Sequence, residues 1–359
     1  MRLGIIGLPQ SGKTTVFNAL TRGHAPTGAM IGGGRFEVHT AVVTVPDPRI
    51  DALSEMFHPR KTIYAQVTYA DVAGIESNPS ARGELKGPLL AELRQMDGLL
   101  HVVRAFREET VPHPLGGVDP ARDVTAMDSE ILINDLITVE RKLERLEDDL
   151  RKGGAKDKAQ AQKDSELFRK LHAHLQEDKP LRELELSPEE ERALSGMGLL
   201  TQKPMLILWN LGEGQKEPDA PASGRECATA GIQGKLEMEI AQMSPEEAEA
   251  FLKEYGIEEP GLHRVIRLSY DLLGLQSFFT VGEDEVRAWT VRRGALAPEA
   301  AGVVHTDMQK GFIRAEVVSY DELTALGSLA EARSKGKLRL EGKEYPVKDG
   351  DILNIRFAN

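Results

Sequence analysis

Short, continuous apolar runs alternate along this chain with longer stretches of helical spacing. Arg2-Leu3-Gly4-Ile5-Ile6 reads as a short buried strand, and Thr15-Val16-Phe17-Asn18-Ala19-Leu20 as the start of a helix. Val67-Thr68-Tyr69-Ala70 reads as another strand. Pro204-Met205-Leu206-Ile207-Leu208-Trp209 is apolar throughout, as expected of a strand covered on both faces in a parallel sheet. Between them, Leu132, Leu136, Val139, Leu143, Leu146 and Leu150 recur in alternating steps of four and three, a heptad seam on one long helix. Arg151-Lys152-Gly153-Gly154 breaks it, and a polar helix follows with Leu167, Leu171 and Leu175 on one face. A helical hairpin closing its own seam, and hence a monomer, is the simplest solution; a coiled coil between two chains is the alternative. Ser187-Pro188-Glu189-Glu190 and Ser244-Pro245-Glu246-Glu247 carry Ser, Pro and Glu where a capping box places them, so each opens a helix.

From about Phe278 the pattern shortens. Val286 to Val291, Ile313 to Val318, Lys337 to Leu340 and Ile352 to Phe357 read as strands, and Pro298 to Val304 as a helix. The whole predicts an α/β fold in three parts. A mostly parallel sheet is built from 1–122 and 200–277, a helical insertion occupies 123–199, and a small α+β domain occupies 278–359.

Composition narrows the function. The 359 residues are too many for one ordinary domain, and 40% hydrophobic content supplies real cores. Aromatic residues are only 5%, which argues against an extensive base-stacking surface, and a net charge of −12 argues against a non-specific coat for nucleic acid. Cys227 is the single cysteine, so no internal disulfide or cysteine metal cluster can form. That fits a reducing cytosol. No apolar stretch is long enough to span a bilayer, and Pro9 interrupts the N-terminal apolar run too early for a signal peptide, so a cytoplasmic protein without membrane contact is expected.

The candidate chemistry lies first at Gly7-Leu8-Pro9-Gln10-Ser11-Gly12-Lys13-Thr14, which matches the phosphate-binding loop G-x-x-x-x-G-K-[ST] between a strand and a helix. Free N–H groups at the helix N-terminus favour an anion there. Gly7 and Gly12 let the backbone approach phosphate oxygens, with Pro9, Gln10, Ser11 and Thr15 completing the cradle. Lys13 reaches the β- and γ-phosphates, and the Thr14 hydroxyl holds Mg²⁺. Downstream, Asp71-Val72-Ala73-Gly74 gives D-x-x-G at a strand end, where Asp71 suits the metal and the Gly74 N–H the γ-phosphate. Ile75 follows, where Ras-like hydrolases carry the glutamine that orients water. Slow hydrolysis is expected.

The strand at 204–209 ends in Asn210-Leu211-Gly212-Glu213. Guanine-binding proteins carry N-K-x-D at this place, with an aspartate accepting two hydrogen bonds from the base. Glu213 is one methylene too long for that contact, and Leu211 replaces the lysine. Asn210, Leu211 and Glu213 therefore argue for adenine over guanine. Ala228-Thr229-Ala230-Gly231 reads as the loop behind the base, with Ala230 beside the ring, and Gly212 to Gly224 as a mobile loop next to it.

These residues resemble the YchF / Obg-like ATPase family, a branch of the P-loop GTPases. The phosphate loop, the D-x-A-G switch and the N-x-x-E base motif all match. So do Val45-Pro46-Asp47-Pro48-Arg49, His101-Val102-Val103-Arg104-Ala105-Phe106, Glu285 to Thr290, His305-Thr306-Asp307, Gly311 to Val317 and Asp349-Gly350-Asp351. The resemblance runs over nearly the whole chain. It implies a P-loop domain, a coiled-coil hairpin and a C-terminal β-grasp-like TGS domain. It also implies ATP hydrolysis with Mg²⁺ and association with ribosomes or translation factors.

Two departures leave questions open. Gln10 replaces the Asn that helps hold a monovalent cation in potassium-stimulated relatives. Arg35 stands where the family keeps a Mg²⁺-binding threonine, with Thr27 and Thr40 as substitutes. Arg287, Arg292, Arg293, Lys310 and Arg314 form either a basic face toward RNA or an ordinary solvated surface; His305 and Asp307 read as structural. The leading reading is a slow ATP-driven switch on the translation machinery. A GTP-specific GTPase and a nucleotide-holding module without turnover are the alternatives.

Overall fold

The computed structural model describes residues 1–23, 37–73, 87–153, 157–219 and 226–358. In chain order its strands are β1 (Arg2–Ile6), β2 (Glu37–Thr44), β3 (Lys61–Ile63), β4 (Gln66–Ala73), β5 (Gly98–Arg104), β6 (Met205–Asn210), β7 (Cys227–Ile232), β8 (Leu275–Thr280), β9 (Glu285–Arg292), β10 (Phe312–Ser319), β11 (Arg339–Glu341) and β12 (Asp351–Phe357). The first helices are α1 (Lys13–Thr21), α2 (Pro48–Phe57), α3 (Gly87–Arg94), α4 (Pro120–Lys152), α5 (Lys158–Gln176), α6 (Pro188–Leu194), α7 (Gly234–Gln242), α8 (Pro245–Glu254) and α9 (Gly261–Leu272). The last four are α10 (Ala297–Val304), α11 (Thr306–Lys310), α12 (Tyr320–Leu326) and α13 (Leu329–Ser334). None of the described helices is long and apolar enough to cross a membrane.

The chain divides into two compact units: Met1–Ala41 with Thr68–Val265, and Val42–Val67 with Ile266–Asn359. In the first, a six-stranded sheet has the order β2-β4-β1-β5-β6-β7. The pairs β1–β4, β1–β5, β5–β6 and β6–β7 are parallel. β5 and β6 are buried along their whole length, which is why they read as unbroken apolar runs. Leu89 and Leu93 of α3 and Val124, Met127 and Ile131 of α4 pack with Leu99, Val103, Met205, Ile207 and Trp209 of the sheet.

The helix α4 belongs to two cores. Its N-terminal part covers the sheet. Farther along, Leu132, Val139 and Leu146 pack with Leu167, Phe168, Leu171 and Leu175 of α5. The hairpin therefore closes its own seam, and Leu136 and Leu143 are partly buried at its margin. Asp119 caps α4 by accepting from Arg122 N, Asp157 caps α5 by accepting from Gln160 N, and both sequence-read capping boxes form at Ser187 and Ser244.

Asp135 locks α4 to the chain re-entering the sheet. It is fully buried and accepts from Leu200 N (3.0 Å), Thr201 N (2.6 Å) and Thr201 Oγ1 (2.6 Å). Burial pushes its carboxyl pKa up, and the three donors oppose that push.

The second unit holds a mixed sheet of order β11-β10-β12-β8-β9-β3. Phe278, Val291, Phe312, Val317 and Leu353 pack with Ala297, Ala300 and Ala301 of α10. The segment 42–67, assigned from the sequence to the nucleotide domain, lies in this unit: β3 pairs in parallel with β9. Arg49 explains the attachment. Its guanidinium bonds Asp47 and Asp349 (Nη1 to Oδ2, 2.7 Å) and stands 5.3 Å from the centre of the Phe279 ring. Asp349 also accepts from Ser277 N (2.9 Å). His305 Nδ1 accepts from Asp307 N at the start of α11, a structural role as read. Arg287 stacks on Trp289 and Arg293 pairs with Asp271.

Replacing Asp135 with Ala leaves two backbone donors and one hydroxyl buried without an acceptor. Asp135→Ala is expected to destabilise the first unit by about 3 kcal/mol, with Asp135→Asn costing less, as read by urea denaturation followed by circular dichroism. An unchanged midpoint in Asp135→Ala would contradict the lock.

Candidate functional site

Every phosphate-loop residue named from the sequence sits in one turn between β1 and α1. Gly7 has φ 149°, and a Cβ there would lie 2.3 Å from the Val102 carbonyl oxygen of β5. Gly12, at φ 95°, is the N-cap of α1. A Cβ on it would meet the Asn210 amide at 2.2 Å. Only glycine fits either place. Pro9 is half-buried, and Gln10 is exposed in the left-handed region at φ 61°. Ser11 is buried, with no hydrogen-bond partner for its hydroxyl among the described residues. Lys13 and Thr15 lie in the first turn of α1, and the Lys13 ammonium rests on the carbonyls of Gly7 (3.0 Å) and Leu8 (2.9 Å).

Thr14 and Asp71 come together as the spacing anticipates. Thr14 Oγ1 donates to Asp71 Oδ2 at 3.0 Å. Asp71, near the carboxyl end of β4, is buried, and its other oxygen has no hydrogen-bond partner among the described residues. Burial raises its pKa, while the Thr14 bond and the charges of Lys13 and His39 pull it back. An orphaned carboxylate oxygen beside a hydroxyl is the hard-oxygen pair that suits Mg²⁺. Gly74 and Ile75 lie outside the described residues, as do Thr27 and Arg35; Thr40 is exposed on β2.

Asn210 closes the other side. Its Nδ2 donates to Ser11 O (3.0 Å), and its Oδ1 accepts from Gly234 N (3.1 Å). It joins three loops at the carboxyl ends of the strands, where ligands bind in such sheets. Leu211 follows half-buried, and Glu213 is exposed.

The loop expected at Ala228–Gly231 is instead part of β7. Ala230 pairs in register with Leu208 and is buried within the sheet. The strand-to-helix turn comes later, at Gln233 and Gly234. Ala-Thr-Ala-Gly has weak strand propensity, and pairing with β6 makes it a strand. Gly234, just before the amphipathic run of α7, was the available signal.

Two further residues shape the site. Arg104, buried, donates to the carbonyls of Phe106, Glu108, Val111 and Pro112 and so fixes the loop after β5. His101 is buried in β5, and its Nδ1 has no hydrogen-bond partner among the described residues. Burial, then the charges of Lys13 and Arg182, pushes its pKa down to about 3.

Comparison with known proteins agrees with this geometry. A family profile described as a 50S ribosome-binding GTPase matches residues 2–142, and the C-terminal profile of the YchF GTPases, described as a protein of unknown function, matches 275–358. The ribosome-binding ATPase YchF of Bacillus subtilis (strain 168) is 40% identical over 364 residues, covering 99% of this chain and 98% of that protein. The chain belongs to the YchF family. The ribosome-binding ATPase YchF of Escherichia coli O157:H7 is 39% identical, with 99% of each chain covered. A solved structure titled as the Schizosaccharomyces pombe YchF GTPase superposes with a TM-score of 0.85 at 31% identity, covering 99% of this chain and 97% of that one. The YchF resemblance read from the motifs is thereby borne out over the full length.

A buried neutral imidazole makes stability depend on pH in a definite direction. The unfolded chain takes up a proton near the ordinary histidine pKa of 6.5, and the folded protein does not until about 3. Stability is therefore lost as pH falls through that window, by at most about 1.4 kcal/mol per pH unit from this residue. His101→Leu is expected to show a shallower decline between pH 6.5 and 3, by one proton per molecule, in urea titrations at several pH values.

Proposed function

We propose that this chain is a Mg²⁺-dependent, slow ATPase of the YchF family that works as a nucleotide switch on ribosomes in the cytoplasm. One observation carries the proposal: the Thr14–Asp71 pair, with its spare carboxylate oxygen, stands at the mouth of a loop whose glycines admit no side chain. The names of the bacterial relatives, ribosome-binding ATPase YchF, supply the partner and the reaction.

The roles follow from the chain's own groups. The N-terminus of α1 and the backbone of Gly7 to Thr15 bind phosphate oxygens. Lys13 exchanges its two carbonyl contacts for the β- and γ-phosphates. Thr14 and Asp71 hold Mg²⁺, which when bound offsets the negative charge of the phosphate groups. Gly74 donates its N–H to the γ-phosphate. Asn210 fixes the base turn, so that Leu211 lies against the purine and Glu213 stands where guanine would need an aspartate. Adenine loses nothing by that change. Guanine loses a paired contact, which costs about 1–3 kcal/mol. Without a glutamine after Gly74, no residue of the switch motif orients the attacking water, so a low intrinsic rate is expected.

Phosphate release from ATP tests the reaction. Lys13→Ala is expected to lower it about 100-fold or more, with the fold retained by circular dichroism. Release equal to wild type, or no release from either protein, would defeat the ATPase reading. Base choice is tested by thermal stabilisation with excess ATP or GTP. Wild type is expected to favour ATP, and Leu211→Lys with Glu213→Asp to shift about tenfold or more toward GTP. Selective stabilisation of wild type by GTP would support the GTPase reading instead. Sedimentation with ribosomes in the presence of a non-hydrolysable ATP analogue tests the partner; protein left entirely in the supernatant would count against it.

A further inference from the structure

The loop that follows the base turn is folded back and fastened. β7 is the edge strand of its sheet, so its outer backbone groups have no strand to pair with. At Gly231 these groups are taken by side chains. Glu217 Oε1 accepts from Gly231 N at 2.9 Å. Arg264 Nη2 donates to the same Glu217 oxygen at 2.9 Å and to Gly231 O at 3.2 Å. One carboxylate and one guanidinium thus imitate the missing neighbour strand over a single residue.

The packing around this fastening reaches the base turn. A Cβ on Gly231 would lie 2.5 Å from Glu217 Cγ and 2.8 Å from Leu211 Cδ1. The Glu217 stem and the Leu211 side chain therefore share the space over Gly231. Gly212 N donates to Gln215 Oε1 at 2.8 Å, which tightens the turn between them. Leu211 itself is held through its N–H on Ile232 O (2.8 Å) and follows Asn210, whose amide spans to the phosphate loop.

We propose that Glu217 is a latch: fastened to Gly231 and Arg264, it holds the 211–217 loop so that Leu211 is positioned over the purine, and it sets how fast the nucleotide leaves. Glu217 is a positioning residue, acting through Leu211. This rests on the nucleotide reading above and adds to it a control of dwell time. The pair is half-exposed, with side chains 50% and 43% accessible. Salt therefore weakens it, and release is expected to quicken as ionic strength rises.

Two measurements on the full chain test this. The first is hydrogen exchange in nucleotide-free protein. Glu217→Ala is expected to speed exchange at the Gly231 amide. The second is dissociation of a fluorescent ATP analogue with Mg²⁺, followed by stopped flow. Glu217→Ala is expected to release it about fivefold faster, and Glu217→Gln, which keeps an acceptor for Gly231 N, to restore most of the wild-type rate. Faster exchange with unchanged release would reduce Glu217 to an edge-strand cap and overturn the proposal. Unchanged exchange would show that the fastening does not form. If wild type fails to bind the analogue, the nucleotide reading falls and the latch with it; binding with equal release rates refutes the latch alone.

Discussion

The site depends on one amide. Asn210 is buried at the end of β6, with its NH₂ committed to the Ser11 carbonyl and its oxygen to the Gly234 N–H. These bonds join the phosphate loop, 199 residues upstream at Ser11, to the base turn and the turn into α7. A side chain with both a donor and an acceptor is required. Aspartate would set a carboxylate against a carbonyl, and any smaller residue would leave two buried backbone groups unpaired. The bareness of Gly12 is the counterpart: the amide can approach the loop only because no Cβ stands in its way. The spacing between the phosphate loop, the end of β6 and the turn into α7 is thereby fixed. That is the preorganisation binding needs if it is not to spend its energy ordering loops.

Much of this was legible because local patterns carry local physics. The phosphate loop declares itself through two glycines whose positive φ admits nothing else, followed by a helix whose first turn carries Lys13 and Thr14. The unbroken apolar runs of β5 and β6 follow from burial on both faces. The hairpin was readable in its leucines. Less legible were features made by pairing. Ala228 to Gly231 has the composition of a turn and becomes a strand only because β6 lies beside it in register. Asp135 was invisible as a lock, since a single acidic residue on a polar helix looks solvated. Its partners, Leu200 and Thr201, lie some 65 residues away. Arg104 likewise reads as a strand-end charge, and only the structure shows four carbonyls converging on it.

Two buried carboxylates of the first unit differ in kind. At Thr14–Asp71 a carboxylate is buried with an oxygen left over, an arrangement costly to the folded protein and sensible only if something positive completes it. At Asp135 the carboxylate is buried too, but three donors complete it, and nothing is left for a ligand. Both carboxyl pKa values are pushed up by burial. The shift alone therefore does not distinguish a site from a lock. The count of unanswered oxygens does.

The Val45-Pro46-Asp47-Pro48-Arg49 segment shows how a motif can mislead about where it works. It precedes Asp71-Val72-Ala73-Gly74 in the stretch assigned from the sequence to the nucleotide domain. Its geometry says otherwise. Asp47 caps α2 by accepting from Arg49 N, Pro48 occupies the first helical position, and Arg49 turns back to bond both Asp47 and Asp349 over the face of Phe279. Gly350 is part of the same fit, since a Cβ there would stand 3.1 Å from the Arg49 guanidinium. Two sequence motifs 300 residues apart, V-P-D-P-R and D-G-D, are thus halves of one ion-paired joint within the second unit. The chain leaves the nucleotide sheet after β2 and re-enters it as β4, and the segment between is anchored by that joint and by β3 on β9.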